Sequence, residues 1–375
     1  MQPSRRAFLF GRQTPRTPWD AFLQRLGRLV QGRVLNLRDE TPKQGRTHDP
    51  GTHAPGPTLT IETSAHGPGV ETPNRARLIP VYRDDVRQAR ALCAEYGVVL
   101  QLGGLAGAGS VTANAPKAPN PLDPRPVDGP DWEYAETLTL GDVLEVDPSG
   151  LDTFIHDPKT GRWVAQPGCR VGELAASGLP QFRDAPPEWT LAVWLAKSRD
   201  WMPGATAMSG VVEAELLFSD GTTETLGAFG ASDVRPLRSA MVQRLVPALF
   251  QLSSSPDGVT CREAPRWPCC YRLDALQPAA PAEVNLAQLL LGHGGALAWV
   301  ESVTLIPVEP ATVQQAVLEG TDASARTVAS SPLAETLPGP SALRGSASSD
   351  DKVVNAARRL QIRIKNAFDP LDIYG

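Results

Sequence analysis

The 375-residue sequence predicts an α+β fold of two subdomains closed by a C-terminal helix. Three observations predict it. A strand, a helix, a second strand and a glycine-rich loop follow one another from Arg77 to Gly109. Gly210–Leu226 reads as a β-hairpin around Ser219-Asp220-Gly221. Asn285–Val308 couples a short amphipathic helix, the turn Gly292-His293-Gly294-Gly295 and an apolar strand.

Taken in order, Trp19–Val30 carries apolar residues at helical spacing, and residues 39–75 are rich in Pro, Gly, Thr and His without a period. Residues 1–75 are therefore an N-terminal helix with an extended linker. Arg77–Val81 is a strand, and Arg83–Tyr96 is a helix with Val86, Ala89, Leu92 and Cys93 on one face. Gly97 stands where a glycine C-cap belongs, and Val98–Leu102 is the next strand. Residues 113–131 are a Pro- and Asp-rich insertion loop. Short strands are expected within Trp132–Val146, at Thr153–Ile155 and at Trp163–Gln166, around the turns 147–150 and 157–161. Helices are expected at Arg170–Ser177 and Val234–Leu252, and a strand at Ala296–Val308. These elements place the main domain at residues 76–309. Residues 310–352 are rich in Ser, Ala and Pro, and residues 353–375 hold the terminal helix, with Leu360, Ile364 and Ala367 on one face.

Composition excludes several functions. A net charge of −5 argues against a nucleic-acid binder, whose affinity rests on clustered positive charge. No run of about 18 apolar residues is present, so no transmembrane span is expected. Ser4-Arg5-Arg6-Ala7-Phe8-Leu9 resembles a twin-arginine export signal, but the polar, basic stretch that follows lacks an apolar signal core. The expected location is the cytoplasm. The five cysteines are odd in number and contain no Cys-x-x-Cys, so neither a disulfide framework nor an iron–sulfur site is indicated. Cys269 and Cys270 read as packing residues. His48, His53, His66 and His156 show no metal-ligand spacing, and no nucleophile elbow occurs. No internal repeat is visible.

The glycine-rich segments carry the chemistry. Gln101-Leu-Gly-Gly-Leu-Ala-Gly-Ala-Gly109, followed by Ser110, offers bare backbone N–H groups of the kind that cradle phosphate. A Rossmann site is the weaker alternative, since G-x-G-x-x-G opening a helix is required and the order here is G-x-x-G-x-G. The turn at 292–295 allows close approach of backbone to packed chain or ligand. Arg266, Trp267, Tyr271 and Arg272 form a further cluster of polar and aromatic residues.

In this order the segments resemble the PCMH-type fold of the vanillyl-alcohol-oxidase superfamily of FAD-linked oxidases. Gly104 and Gly109 fall on glycines of that family's phosphate loop, although Gln101, Leu102 and Leu105 replace its Arg, Gly and Thr. Gly168 and Leu174 match a second segment, and Gly204 stands near a later turn. Gly292, Gly295 and Leu297 match the family's "GSEGTLG" turn, with Gly294 and Ala296 in place of Glu and Thr. Lys365, Asp369, Pro370 and Ile373 match its terminal motif. The family's Gly-Gly pair is missing, and Trp189–Ala196 stands in its place. The resemblance implies FAD as cofactor, with Gly103, Gly104, Gly107, Gly109, Ser110, Gly168, Gly204, Gly292, His293 and Gly295 as its binding residues. It implies a PCMH-type fold with a truncated cap region, because only residues 310–352 fill the place of the family's substrate-binding cap. The chain most resembles the glycolate-oxidase FAD-binding subunit and D-lactate dehydrogenase. The implied substrate is a small 2-hydroxy acid, with hydride transfer to flavin and onward to a partner subunit or electron acceptor. The alternative is a degenerate subunit that keeps the fold without FAD and acts as a structural or regulatory partner. No catalytic residue is assigned.

Overall fold

The computed structural model describes residues 17–37, 73–105, 141–309 and 345–375. The loop residues Gly107, Gly109 and Ser110, the insertion loop at 113–131 and most of the 310–352 segment lie outside the described residues.

The first layer is a four-stranded sheet in the order β1-β2-β4-β3, built from β1 (Arg33–Asn36), β2 (Arg75–Ile79), β3 (Val99–Leu102) and β4 (Val143–Val146). Strands β2, β4 and β3 are parallel, and β1 runs antiparallel along β2. The crossover from β2 to β3 is α2 (Arg83–Tyr96), which buries Val86, Ala89, Leu92 and Cys93 as the periodicity predicts. Gly97 ends it with φ of 67°, where a Cβ would be strained, and its N–H donates to the Cys93 carbonyl. Helix α1 (Pro18–Leu29) starts with a capping box between Thr17 and Asp20. Its apolar side, Trp19, Phe22 and Leu26, is buried in the core of this layer. Buried Asp85 fixes the entry to α2. One of its oxygens accepts from Val81 and Tyr82 N–H, and the other from Gln31 N–H at 2.7 Å, which ties the end of α1 to the start of α2.

The second layer is an antiparallel sheet in the order β5-β6-β9-β7-β8. Its strands are β5 (Phe154–Asp157), β6 (Arg162–Ala165), β7 (Val211–Leu217), β8 (Thr223–Leu226) and β9 (Trp299–Leu305). The hairpin expected around Ser219-Asp220-Gly221 is β7–β8. Its core collects Val171 and Leu174 of α3 (Val171–Ala176), Trp194 of α4 (Leu191–Lys197), Leu245 and Leu249 of α5 (Ala240–Ser253), and Cys261 of α6 (Pro256–Arg262). Leu360, Ile364 and Phe368 of α7 (Gly345–Phe368) complete it.

Two expected helices differ. The helix expected from Val234 begins only at Ala240, where the Ser239 hydroxyl accepts from Val242 N–H. Before it, Arg238 and Ser239 N–H donate to the Glu224 carboxylate of β8, which holds that stretch against the sheet. The amphipathic helix expected after Asn285 is a single 3-10 turn, Leu286–Leu290, buried on every side. Apolar periodicity in so short a run does not separate an exposed helix from a buried turn.

The layers are joined by charge and by the chain end. Arg87 grips Glu301 of β9 with two bonds at 2.7 and 2.6 Å, Arg83 pairs with Glu215 of β7 at 2.6 Å, and Arg90 donates to the Ser219 carbonyl. Beyond α7, Leu100 N–H donates to the Ile373 carbonyl and Gly375 N–H to the Leu100 carbonyl. Tyr374 thus lies parallel to β3 in the first layer, while its hydroxyl donates to the Leu217 carbonyl of the second at 2.7 Å. The buried carboxylate of Asp369 holds this tail by accepting from Ile373 and Tyr374 N–H and from Lys365.

Candidate functional site

The two layers meet at the glycine turn. Gly292, Gly294 and Gly295 have φ of 73°, 65° and 81°, a left-handed run that L side chains rarely adopt. The turn threads between the end of α4 and the end of β3. Gly292 N–H donates to the Leu195 carbonyl at 2.7 Å and Gly294 N–H to Ala196 at 3.0 Å, two of the carbonyls that α4 leaves free at its last turn. A Cβ on Gly295 would stand 2.9 Å from the Leu102 Cβ, and one on Gly292 would stand 2.8 Å from the Cys270 carbonyl. Close packing of the chain on itself accounts for both glycines.

His293 sits in the middle of this turn and is only 2% exposed. With Leu100, Leu102, Ala192, Trp299 and Tyr374 it lines an apolar cavity of about 10 Å³, room for roughly one water. Neither ring nitrogen has a hydrogen-bond partner among the described residues. Burial pulls its pKa down to about 4, so the imidazole is neutral at pH 7 with one donor and one acceptor unmet.

The other expected site residues divide into groups. Gly103 and Gly104 follow β3: Gly103 N–H donates to the Val146 carbonyl at 2.8 Å, and a Cβ on Gly104 would stand 3.2 Å from Val193 of α4. Gly295 packs against Leu102 and Leu105, the residues that flank Gly103 and Gly104, so the structure brings the 292–295 turn beside the 102–105 segment at one seam. Gly168 lies against the backbone of Pro148 and Leu151, and its N–H donates to the Leu151 carbonyl. Gly204, at φ of 76°, lies against Ala279 and donates its N–H to Asp274.

That bond belongs to a separate cluster. Arg272 is fully buried and uses all five of its guanidinium N–H donors. Two go to Asp274 at 2.9 and 2.6 Å, and three go to the carbonyls of Arg199, Trp201 and Met202. Trp267 donates its indole N–H to the Tyr271 carbonyl. Of the cluster read from the sequence, Arg272 is a backbone clamp with no donor left for a ligand. The sequence reading missed Tyr374 and Trp299 as seam residues. Lys365 and Asp369, already singled out for their motif, are the signal that fixes Tyr374 in place.

The donor inventory tests whether the seam fits FAD. The N–H groups of Gly103, Gly168, Gly204, Gly292 and Gly294 are each bonded to a carbonyl or carboxylate of the chain itself. The cavity at His293 is far smaller than a flavin ring system. The described residues form a glycine-lined seam but not a dinucleotide cradle, and as they stand they do not fit the cofactor. No group of three or more His, Cys, Asp or Glu able to hold a metal occurs among the described residues, and no described helix is long and apolar enough to cross a membrane.

The sequence matches no protein-family model and no curated protein. Solved structures similar to this chain include alkyldihydroxyacetonephosphate synthase, with a TM-score of 0.34 at 14% identity over 62% of this chain and 31% of that one. Others are a carbohydrate oxidase from Microdochium nivale (TM-score 0.34, 12% identity, 62% and 36% covered) and a xylooligosaccharide oxidase from Myceliophthora thermophila (0.33, 14%, 62% and 36%). The matched part spans about a third of each of those chains.

Proposed function

We propose that this chain is a subunit of an FAD-linked oxidoreductase that oxidises a small 2-hydroxy acid of the glycolate or lactate type. One observation carries the proposal. His293 and Gly295 share one small cavity with Leu102, the residue that leads into Gly103 and Gly104, so two segments far apart in sequence that resemble the flavoprotein family lie side by side between the two layers. A cytoplasmic assembly with partner subunits suits the short 310–352 segment, which leaves substrate closure to another chain.

Two readings separate on where the flavin sits. In the first, this chain carries FAD, and the unpartnered imidazole of His293 is the seam group left to meet it. In the second, the chain keeps the fold without FAD and acts as a structural or regulatory partner. The self-bonded N–H groups and the small cavity favour the second for the described residues.

Purification of the full chain, alone and from its native host, separates the readings. A yellow protein that retains FAD through gel filtration establishes the first. A colourless chain that releases added FAD but co-purifies with a flavin-containing oxidoreductase establishes the second. A chain that neither retains FAD nor associates with such an enzyme sinks the proposal.

A further inference from the structure

Sulfur chemistry lies apart from the seam. Cys93 and Cys169 are buried singly, with no second thiol in contact, and burial pushes both thiols up to about 12. Cys261 and Cys269 are buried as well, but as a contacting pair. Cys261 lies on α6, Cys269 on the irregular stretch that follows it, and their Sγ atoms are 3.7 Å apart. Cys269 donates its S–H to Cys261 and also lies 3.8 Å from the Ala357 carbonyl of α7.

The pair is asymmetric. Accepting the hydrogen bond from Cys269 lowers Cys261 below the ordinary thiol range, against the opposing effects of burial and of the Asp257 carboxylate; the Arg359 guanidinium, itself paired with Asp257, adds a smaller lowering. Donating that bond, together with burial, raises Cys269. Of the two sulfurs, Cys261 is the one whose thiolate the contact favours, and the second thiol stands 3.7 Å away. A disulfide bond is about 2.05 Å long, so the sulfurs must close by roughly 1.7 Å. The stretch from Glu263 to Cys269 contains no strand and no helix beyond the end of α6, so side-chain rotation with a small shift there can supply that movement.

We propose that Cys261 and Cys269 form an oxidisable dithiol, a modification site at which a peroxide makes a reversible disulfide. The Cys261 thiolate attacks one peroxide oxygen, the O–O bond breaks, and Cys261 becomes a sulfenic acid as the first water leaves. Cys269 then attacks the sulfenic sulfur, the S–S bond forms, and the hydroxyl leaves as the second water. Two thiols and one hydrogen peroxide give one disulfide and two waters, with both electrons supplied by the sulfurs. The product pins α6 to the segment that leads into the Arg272 clamp and withdraws Cys269 from the Ala357 carbonyl.

The test uses the full chain and hydrogen peroxide at a small molar excess. Remaining thiols are then blocked with N-ethylmaleimide in denaturant and the chain is mapped by mass spectrometry. The expected product is a Cys261–Cys269 linked peptide, lighter by two hydrogens and restored by dithiothreitol. Cys270→Ser should form the same link, whereas Cys269→Ser should leave Cys261 as a sulfenic acid captured by dimedone. The proposal is overturned if Cys261 and Cys269 both remain open to N-ethylmaleimide after peroxide treatment. A link from Cys270 to either partner, or oxidation that stops at Cys270, overturns it equally. The wild-type and Cys270→Ser peptide maps are decisive even where Cys269→Ser fails to fold.

Discussion

Arg272 and His293 are both buried, both polar and both close to glycine turns, yet they occupy opposite extremes of satisfaction. Every donor of Arg272 is paired, and its charge is met by Asp274. His293 meets nothing polar with either nitrogen among the described residues. A buried charge with a complete set of partners is a device for holding backbone in place, here the stretch from Arg199 to Gly204. A buried imidazole with none costs stability and does no such holding, so the seam rather than the clamp is where a ligand role can be sought.

The largest expected effect breaks the clamp. Arg272→Met strands the Asp274 carboxylate and three carbonyls in the core, and the loss should be about 3–5 kcal/mol. A guanidinium chloride unfolding curve with an unmoved midpoint would show that the clamp is ornamental. Acid sharpens the other side of the comparison. His293 is neutral when folded, with a pKa of about 4 against 6.5 unfolded, so between those values the unfolded chain binds more protons. Folding stability is therefore undiminished by its titration above pH 6.5 and falls as pH drops towards 4, by about 3 kcal/mol in all. His293→Leu should flatten that part of the stability–pH profile, and an unchanged profile would mean that the imidazole finds a partner in solution. The smallest effect tests the tail that lines the same cavity. Tyr374→Phe removes the bond to the Leu217 carbonyl and should cost about 1 kcal/mol, read as a lowered thermal midpoint.

Much of the fold is legible in the sequence because its signals are local. Helix α2 announces itself by an apolar face and a glycine stop, the β7–β8 hairpin by its Ser-Asp-Gly turn, and α7 by its periodicity. What cannot be read there depends on pairings between distant residues. Nothing near Arg272 in sequence shows that three carbonyls from 199 to 202 converge on it, so proximity alone groups it with Arg266 as a candidate site residue. Leu286–Leu290 looks amphipathic because Gln288 interrupts its leucines, but Gln288 is buried, accepting from the Thr206 hydroxyl and donating to the Val211 carbonyl. Of the seam, the glycines and His293 are visible as a motif. Tyr374 is not, because its place is set by Asp369 and by β3 together.

The pairing of Leu100 with Tyr374 also bears on how the molecule assembles. The first sheet cannot acquire its outermost neighbour until the second layer and α7 have delivered the tail across it. Contacts closed over so long a stretch of chain are entropically late and slow. The two layers should therefore mature as one kinetic event, with protection of Leu100 from hydrogen exchange arriving last and together with that of Tyr374.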